Sequence, residues 1–410
     1  MRTDVLLACA VVCAAGAGLA EFKKPHPAVD VPELMRTESG EAVVSRDQWE
    51  NVRRPELLKM FQEREYGVRP VERPADLSFG EVRPEEDAFG GRAIKKLIRG
   101  TYSGPGGKSS FVFAVWIPKS EKCVPAFVHC SPRPADTAAD PDGPRPSYYL
   151  PADYITERGY AAIAVCAYDF TPDFGALPDA PTSGVFKVFG PKSMKGRAPT
   201  EWGILSAWSW GASRVLDWIE TEARIDAKHV AVVGLSRNGK TALCAGVFDE
   251  RFAMAVSCCS GCGGARLNHM ECNEAETIRM IMRPAWTWFC PAFANYIDKD
   301  MTMPFDQHQW LALMAPRLLY VSSATEDAWT GPRGEFAGAQ LASPAWELYG
   351  KAGLVEHGFP KADSPLLAGN IGYHVRDGLH DIRRYDWENY LDFADGHGWR
   401  AVQQKIGERK

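Results

Sequence analysis

His229-Val-Ala-Val-Val-Gly-Leu-Ser-Arg-Asn-Gly-Lys-Thr-Ala-Leu243 is the stretch on which the reading of this chain turns. The apolar run Val230 to Val233 reads as a strand, Gly234 opens a tight turn, and the residues from Thr241 onward suit a helix. Two chemistries fit such a strand–turn–helix. Gly234, four residues, then Gly239-Lys240-Thr241 satisfy the phosphate-loop pattern. There, backbone amides would cradle phosphates and Lys240 would reach the outer ones. Alternatively, Ser236 sits two residues after Gly234, where a strained turn lifts a nucleophilic hydroxyl above the sheet. A serine that merely caps the helix is the commoner use of such a position. The rest of the chain has to decide.

Working outward, the phosphate loop loses support. The next strand, Ala253 to Cys258, ends in cysteines, where a nucleotidase would place an aspartate for magnesium. The motif also follows several strands instead of the first. The serine gains support, because a nucleophilic serine needs a base and the base needs an orienting acid. The strand Leu318-Leu-Tyr-Val-Ser322 is followed by Ala324-Thr-Glu-Asp-Ala-Trp329, which puts Glu326 and Asp327 on the rim where strands end. Next comes Ile371-Gly-Tyr-His-Val-Arg-Asp-Gly-Leu-His-Asp381, read as a glycine-containing loop before a helix over Trp387 to Phe393. It offers His374 and His380 as bases. His380 is preferred, because it follows the glycine turn and lies nearer the loop's end. The chain order serine, acid, histidine is that of an α/β-hydrolase.

The flanking segments agree. Ala93 to Leu97 and Ser110 to Ile117 look like an antiparallel edge. Pro125 to Cys130 and Tyr160 to Cys166 are apolar enough to be buried on both faces. Pro55 to Tyr66 reads as a helix with Leu57, Leu58, Phe61 and Tyr66 on one side. Ser206 to Glu222 reads as a long helix carrying Trp208, Trp210, Val215 and Trp218. Strand–helix alternation with near-continuous apolar strands predicts a three-layer α/β sandwich, a mostly parallel central sheet with helices on both faces. A single catalytic domain is expected over 46–410, after a Pro-rich arm over 21–45.

Residues 1–20 read as a secretory signal peptide: Arg2, an apolar run from Val5 to Ala17, and small residues at Gly18 and Ala20. Cleavage is expected after Ala20. The run is shorter than the roughly 20 residues a bilayer requires, and a lipoprotein signal ending at Cys9 leaves almost no apolar segment. The expected product is a secreted or periplasmic monomer with no membrane partner. A net charge of −5 argues against nucleic acid. Eleven cysteines are present, and removal of Cys9 and Cys13 with the leader leaves an odd number. Cys258, Cys259 and Cys262 lie close together without a second ligand pair, so they read as buried small residues. No metal and no cofactor are expected.

Gly234-Leu-Ser-Arg-Asn-Gly-Lys240 resembles the Gly-x-Ser-Arg-x-Gly-Lys signature of the glucuronoyl esterases, carbohydrate esterase family 15, at every fixed position. The bacterial members look similar over nearly the whole mature chain, including Trp202-Gly203, Trp208 to Asp217, Asp249 to Phe252, Pro304 to Gln309, Trp329 to Phe336 and Asp386 to His397. The resemblance implies a serine esterase acting on 4-O-methyl-glucuronoyl esters between glucuronoxylan and lignin alcohols. It implies Ser236 as nucleophile, Arg237 as oxyanion donor, and Lys240, Trp329 and Glu276 as sugar-binding residues. Fungal members carry the acid as the glutamate of Glu-Ser-Gly-x-Gly-Gly. Here that segment is Cys259-Ser-Gly-Cys-Gly-Gly264. Asp327 is the substitute expected from the bacterial members, with Glu326 as the fallback. An acetyl-xylan esterase is the rival activity, and an exported carbohydrate-binding protein the rival from another class.

Overall fold

Ten strands assemble into one sheet in the computed structural model, which describes residues 30–139, 149–173, 175, 182–270, 274–356 and 358–400. Residues 1–20, where a leader is expected, lie outside the described residues. The strands are β1 (Ser78–Glu81), β2 (Glu86–Ala88), β3 (Ala93–Gly104), β4 (Gly107–Pro118), β5 (Val124–Ser131), β6 (Ala161–Cys166), β7 (Ile225–Leu235), β8 (Met254–Cys258), β9 (Leu318–Ala324) and β10 (Ile371–Arg376). Their spatial order is β1-β3-β4-β6-β5-β7-β8-β9-β10, with β2 beside β3. The run from β6 to β10 is parallel, and β1 to β4 form the antiparallel edge.

Alternation along each strand builds the layers. On β5 and β7, Val128 and Val232 face one side, where the helices Ile204–Ile219, Arg237–Phe248 and Pro332–Ala342 pack. Phe127 and Val233 face the other side, against the helices Ala152–Glu157 and Arg384–Gly396. Every residue of Ile204–Ile219 is buried, so the tryptophans expected there do belong to the core. The fold is therefore the predicted three-layer sandwich. Among the described residues no helix is long and apolar enough to cross a membrane.

Two local readings need correction. The helix expected from Thr241 begins at Arg237, because the backbone reversal at Ser236 launches it at once and puts Arg237 and Lys240 in its first turn. Residues 371–376 form β10, not a loop. Gly372 had masked the strand, yet a Cβ there would lie 2.5 Å from the Tyr320 ring, so the glycine is what lets the neighbouring strand close up. The 30–45 part of the expected arm lies against the domain: Leu34 and Val43 are buried, and Arg53 donates to Leu34 O at 3.0 Å.

Trp387 anchors the second helical layer, fully buried with its ring 6.1 Å from Phe127 and 5.7 Å from His129. Trp387→Ala is expected to cost about 3–5 kcal/mol, read as a lowered midpoint in urea unfolding. A midpoint unchanged from the parent chain would contradict this packing.

Candidate active site

Ser236 is one of few non-glycine residues with positive φ, at φ 60° and ψ −126°. L-residues rarely adopt this conformation, and at the end of a strand it is the strained turn that exposes a nucleophile. Its surroundings enforce it. A Cβ at Gly234 would sit 2.0 Å from Asn238 O, so only glycine lets the helix start so close to the strand. The Ser236 amide donates to Cys258 O at 2.8 Å, and the Ser236 carbonyl accepts from Gly239 N and Lys240 N. Gly239 packs onto the end of β8, where a Cβ would lie 3.0 Å from Cys258 O. This explains why the second small residue stands one place later than in Gly-x-Ser-x-Gly.

The residues expected as acid and base follow the ends of β9 and β10. Asp327 is buried, and its Oδ2 lies 2.6 Å from His380 Nδ1 and accepts from the Thr330 hydroxyl at 2.8 Å. Burial pushes the Asp327 carboxyl up. The His380 hydrogen bond and charge, with hydrogen bonds from Thr330 and Cys259, outweigh it and hold the group below the usual range. The loop after β10 folds back across β9: Cys258 Sγ lies 3.8 Å from Asp381 O. His380 is thereby brought to the β8 end, the same end that receives the Ser236 amide. Thr325 N donates to Arg376 O and Glu326 N to Gly378 O, both at 2.9 Å, tying the two loops together.

The alternatives separate cleanly. Glu326 is exposed, and it is Asp327 that carries the histidine. His374 lies inside β10, fully buried between Asp386 Oδ1 at 2.7 Å and the Tyr320 hydroxyl at 2.9 Å, so both ring nitrogens are engaged.

Lys240 is 3% exposed, with its ammonium on Ser260 O and 3.2 Å from Glu276 Oε1. A phosphate loop needs that amine available to a ligand, and here a carboxylate already holds it. The Glu276 amide donates to Trp329 O at 2.8 Å, which sets the Lys240–Glu276 pair beside a tryptophan 47% exposed.

Other participants were not visible in the sequence. The Arg237 guanidinium contacts Asp173 Oδ2 at 2.5 Å and lies over the Trp288 ring at 4.9 Å, while Trp288 Nε1 donates to Asp173 Oδ1 at 2.8 Å. Asp173 follows β6, and a carboxylate beyond a strand's C-terminal end was the one available signal. Glu335 anchors the segment after β8: its Oε1 accepts from Ser260 N at 2.6 Å and Gly261 N at 2.9 Å, and its Oε2 meets the Ser323 hydroxyl at 2.7 Å. Cys262 Sγ turns toward Asn268, whereas Cys259 Sγ joins Asp327 and His380. Of the three cysteines that look like a cluster in sequence, Cys262 therefore turns away, while the Cys258 and Cys259 sulfurs stay 3.9 Å apart.

A mostly parallel sheet with a strained serine elbow, and with a buried aspartate holding an exposed histidine at its C-terminal edge, defines an α/β-hydrolase. Residues 193–350 match the family model described as glucuronyl esterase of fungi. A carbohydrate esterase of an unknown prokaryotic organism is 33% identical over 398 residues, 90% of each chain. The solved glucuronoyl esterase of Solibacter usitatus superposes with a TM-score of 0.81 at 33% identity, covering 91% of this chain and 98% of that one. The 4-O-methyl-glucuronoyl methylesterase of Phanerochaete carnosa is 33% identical over 204 residues, 48% of each chain. The chain belongs to the glucuronoyl esterases of carbohydrate esterase family 15, and is a carboxylic ester hydrolase.

Burial raises the Glu335 carboxyl to about 7, against the pull of the Gly261 amide and the Ser323 hydroxyl. A carboxyl raised in the folded chain holds an extra proton there, so its contribution to stability is full below its ordinary value of 4.5 and declines as pH climbs toward about 7. Glu335→Gln is expected to flatten this decline, measured as urea midpoints at about pH 5 and about pH 8. The buried Glu65, raised by burial to about 8, keeps its own share. A decline as steep as in the parent chain would show that Glu335 is ionised throughout.

Proposed function

We propose that this esterase cleaves the ester joining 4-O-methyl-glucuronate of glucuronoxylan to alcohols of lignin, through an acyl-enzyme on Ser236. The observation that carries the reading is the His380 Nδ1–Asp327 Oδ2 contact at 2.6 Å beside the elbow. With Nδ1 turned to a carboxylate, Nε2 is the nitrogen left to take the Ser236 proton and later return it to the leaving alcohol. A carboxyl held below its usual range stays charged as the imidazolium forms. Arg237, fixed by Asp173 and Trp288, and the amides opening its helix supply positive potential for the oxyanion. On the acyl side, Lys240 has three donors, of which Ser260 O and Glu276 take two. The third, with Glu276 and the exposed Trp329, suits the hydroxyls and face of a sugar ring. We also propose that the enzyme acts as an exported monomer; the leader-like residues 1–20 support the export. A mature mass beginning at Glu21 and a monomeric scattering mass are the expected results.

Ser236→Ala is expected to lower turnover by several orders of magnitude while leaving the fold intact. Near-normal activity would remove the elbow from the mechanism. Asp327→Asn should impair turnover far more than Glu326→Gln, and the reverse order would transfer the acid's role to Glu326.

Substrate class is tested by comparing benzyl glucuronate with acetylated xylan, and the glucuronate ester should be the faster. Rapid release of acetate with no action on benzyl glucuronate would leave only a general serine esterase. Lys240→Ala should lower benzyl glucuronate turnover by about 1–3 kcal/mol of transition-state binding, as for a lost charged hydrogen bond. It should barely affect p-nitrophenyl acetate, which has no ring to grip. Equal losses on both would make Lys240 a structural residue.

A further inference from the structure

Cys259 Sγ, an Asp327 carboxylate oxygen and a His380 ring nitrogen lie within 4.8 Å of one another. Thiol, imidazole and carboxylate are the donor set that zinc and cobalt(II) select, and that magnesium and calcium do not. Cys259 is a free cysteine with its side chain turned into the site, and its backbone is held there by its own amide on Ser322 O at 2.7 Å. Of the three, the His380 side chain is 40% exposed, which opens the cluster to solvent on one side. Tetrahedral zinc sets its ligand atoms about 3.3–3.6 Å apart. No edge of the cluster exceeds 4.8 Å, so none need close by more than about 1.5 Å, and the His380–Asp327 contact would open by less than about 1 Å, movements within reach of the partly exposed His380 side chain.

We propose that this cluster is a binding site for a soft divalent cation of the zinc class, and that occupancy switches the esterase off. The thiol gives up its proton to solvent and forms a metal–sulfur bond. The carboxylate binds as it stands, water completes the shell, and one proton is released for each ion bound. His380 offers its Nδ1 lone pair to the metal, so its remaining ring proton moves to Nε2. An imidazole protonated at Nε2 has no lone pair for the Ser236 hydroxyl. The binding half stands on the cluster's geometry; the inhibitory half rests on His380 being the base.

The experiment uses the full-length enzyme with zinc chloride for inhibition and cobalt(II) chloride as a spectroscopic probe. Zinc should inhibit reversibly, with activity restored by EDTA, and magnesium or calcium at the same concentration should not. Cobalt(II) should give a thiolate-to-metal absorption band at one equivalent. Cys259→Ala should abolish that band and weaken zinc inhibition by about 10–100-fold or more, the loss seen when even an outer partner of a metal ligand is removed. Cys259→Ser serves if the alanine variant does not fold. Cys262→Ala, which removes the nearby thiol that is turned toward Asn268, should keep both band and inhibition. No thiolate band, or a band and inhibition that survive loss of the Cys259 thiol, would overturn the site. A band lost with Cys259 but without inhibition in the parent enzyme would overturn the switch, and with it the role of His380, while leaving the metal site standing.

Discussion

Ser236 is held in a backbone conformation that few L-residues tolerate, and the geometry of the site follows from that hold. The turn cannot relax. Its amide is bonded to Cys258 O, its carbonyl receives two helical amides, and the bare Cα of Gly234 lets the helix start press against the strand. The strain, of order 1–3 kcal/mol for such a residue, is sustained by a helix and two strands buried on all sides. Because the helix starts at Arg237, one turn carries the serine, the guanidinium and the Lys240 ammonium in fixed relation. A looser connection would let the three drift apart.

The segment after β8 transmits this order to the sugar side. Cys258 O receives the serine amide, Ser260 O receives Lys240, Cys262 N donates to Glu276, and Glu335 grips the amides of Ser260 and Gly261 from beneath. Ser236, the buried Lys240 ammonium and the Glu276 carboxylate are thus connected through five consecutive residues. Glu335 is remote in sequence from all of them, yet it is the group that keeps those residues from swinging.

What could be read from the sequence follows the same division. The elbow, the apolar strands and the order serine, aspartate, histidine were legible because each is a local pattern. β10 was missed although Ile371, Tyr373 and Val375 alternate along it, because Gly372, His374 and Arg376 between them read as loop residues; their reasons lie in Tyr320 and Asp386 on other elements. The helix start was misplaced because Gly239 reads as a turn residue until β8 is seen against it. Asp173 and Glu335 could not be found, since a carboxylate acquires meaning only from what it faces, and their partners lie 64 and 75 residues away. The choice between Asp327 and Glu326 was left open for a similar reason: adjacent residues on a turn point in different directions, and only the returning loop after β10 shows which one meets a histidine.

Cys259 stands where fungal relatives of the family place a glutamate, and its environment makes the exchange intelligible. The thiol is kept protonated by its hydrogen bond with Cys258, by burial, and by the nearby charges of Asp327 and Glu335. A protonated thiol gives a hydrogen bond to Asp327 and adds no negative charge. A second carboxylate in that place would face Asp327 at close range with Glu335 behind it, and like charges so near cannot all ionise without raising one another's pKa. Asp327 would then share a proton with its neighbour, and the group facing His380 would cease to be a full anion. One buried carboxylate with a neutral donor beside it keeps its charge; two would compete for it. Moving the acid from the end of β8 to the end of β9 therefore calls for a small neutral residue at the place it left, and cysteine satisfies that requirement.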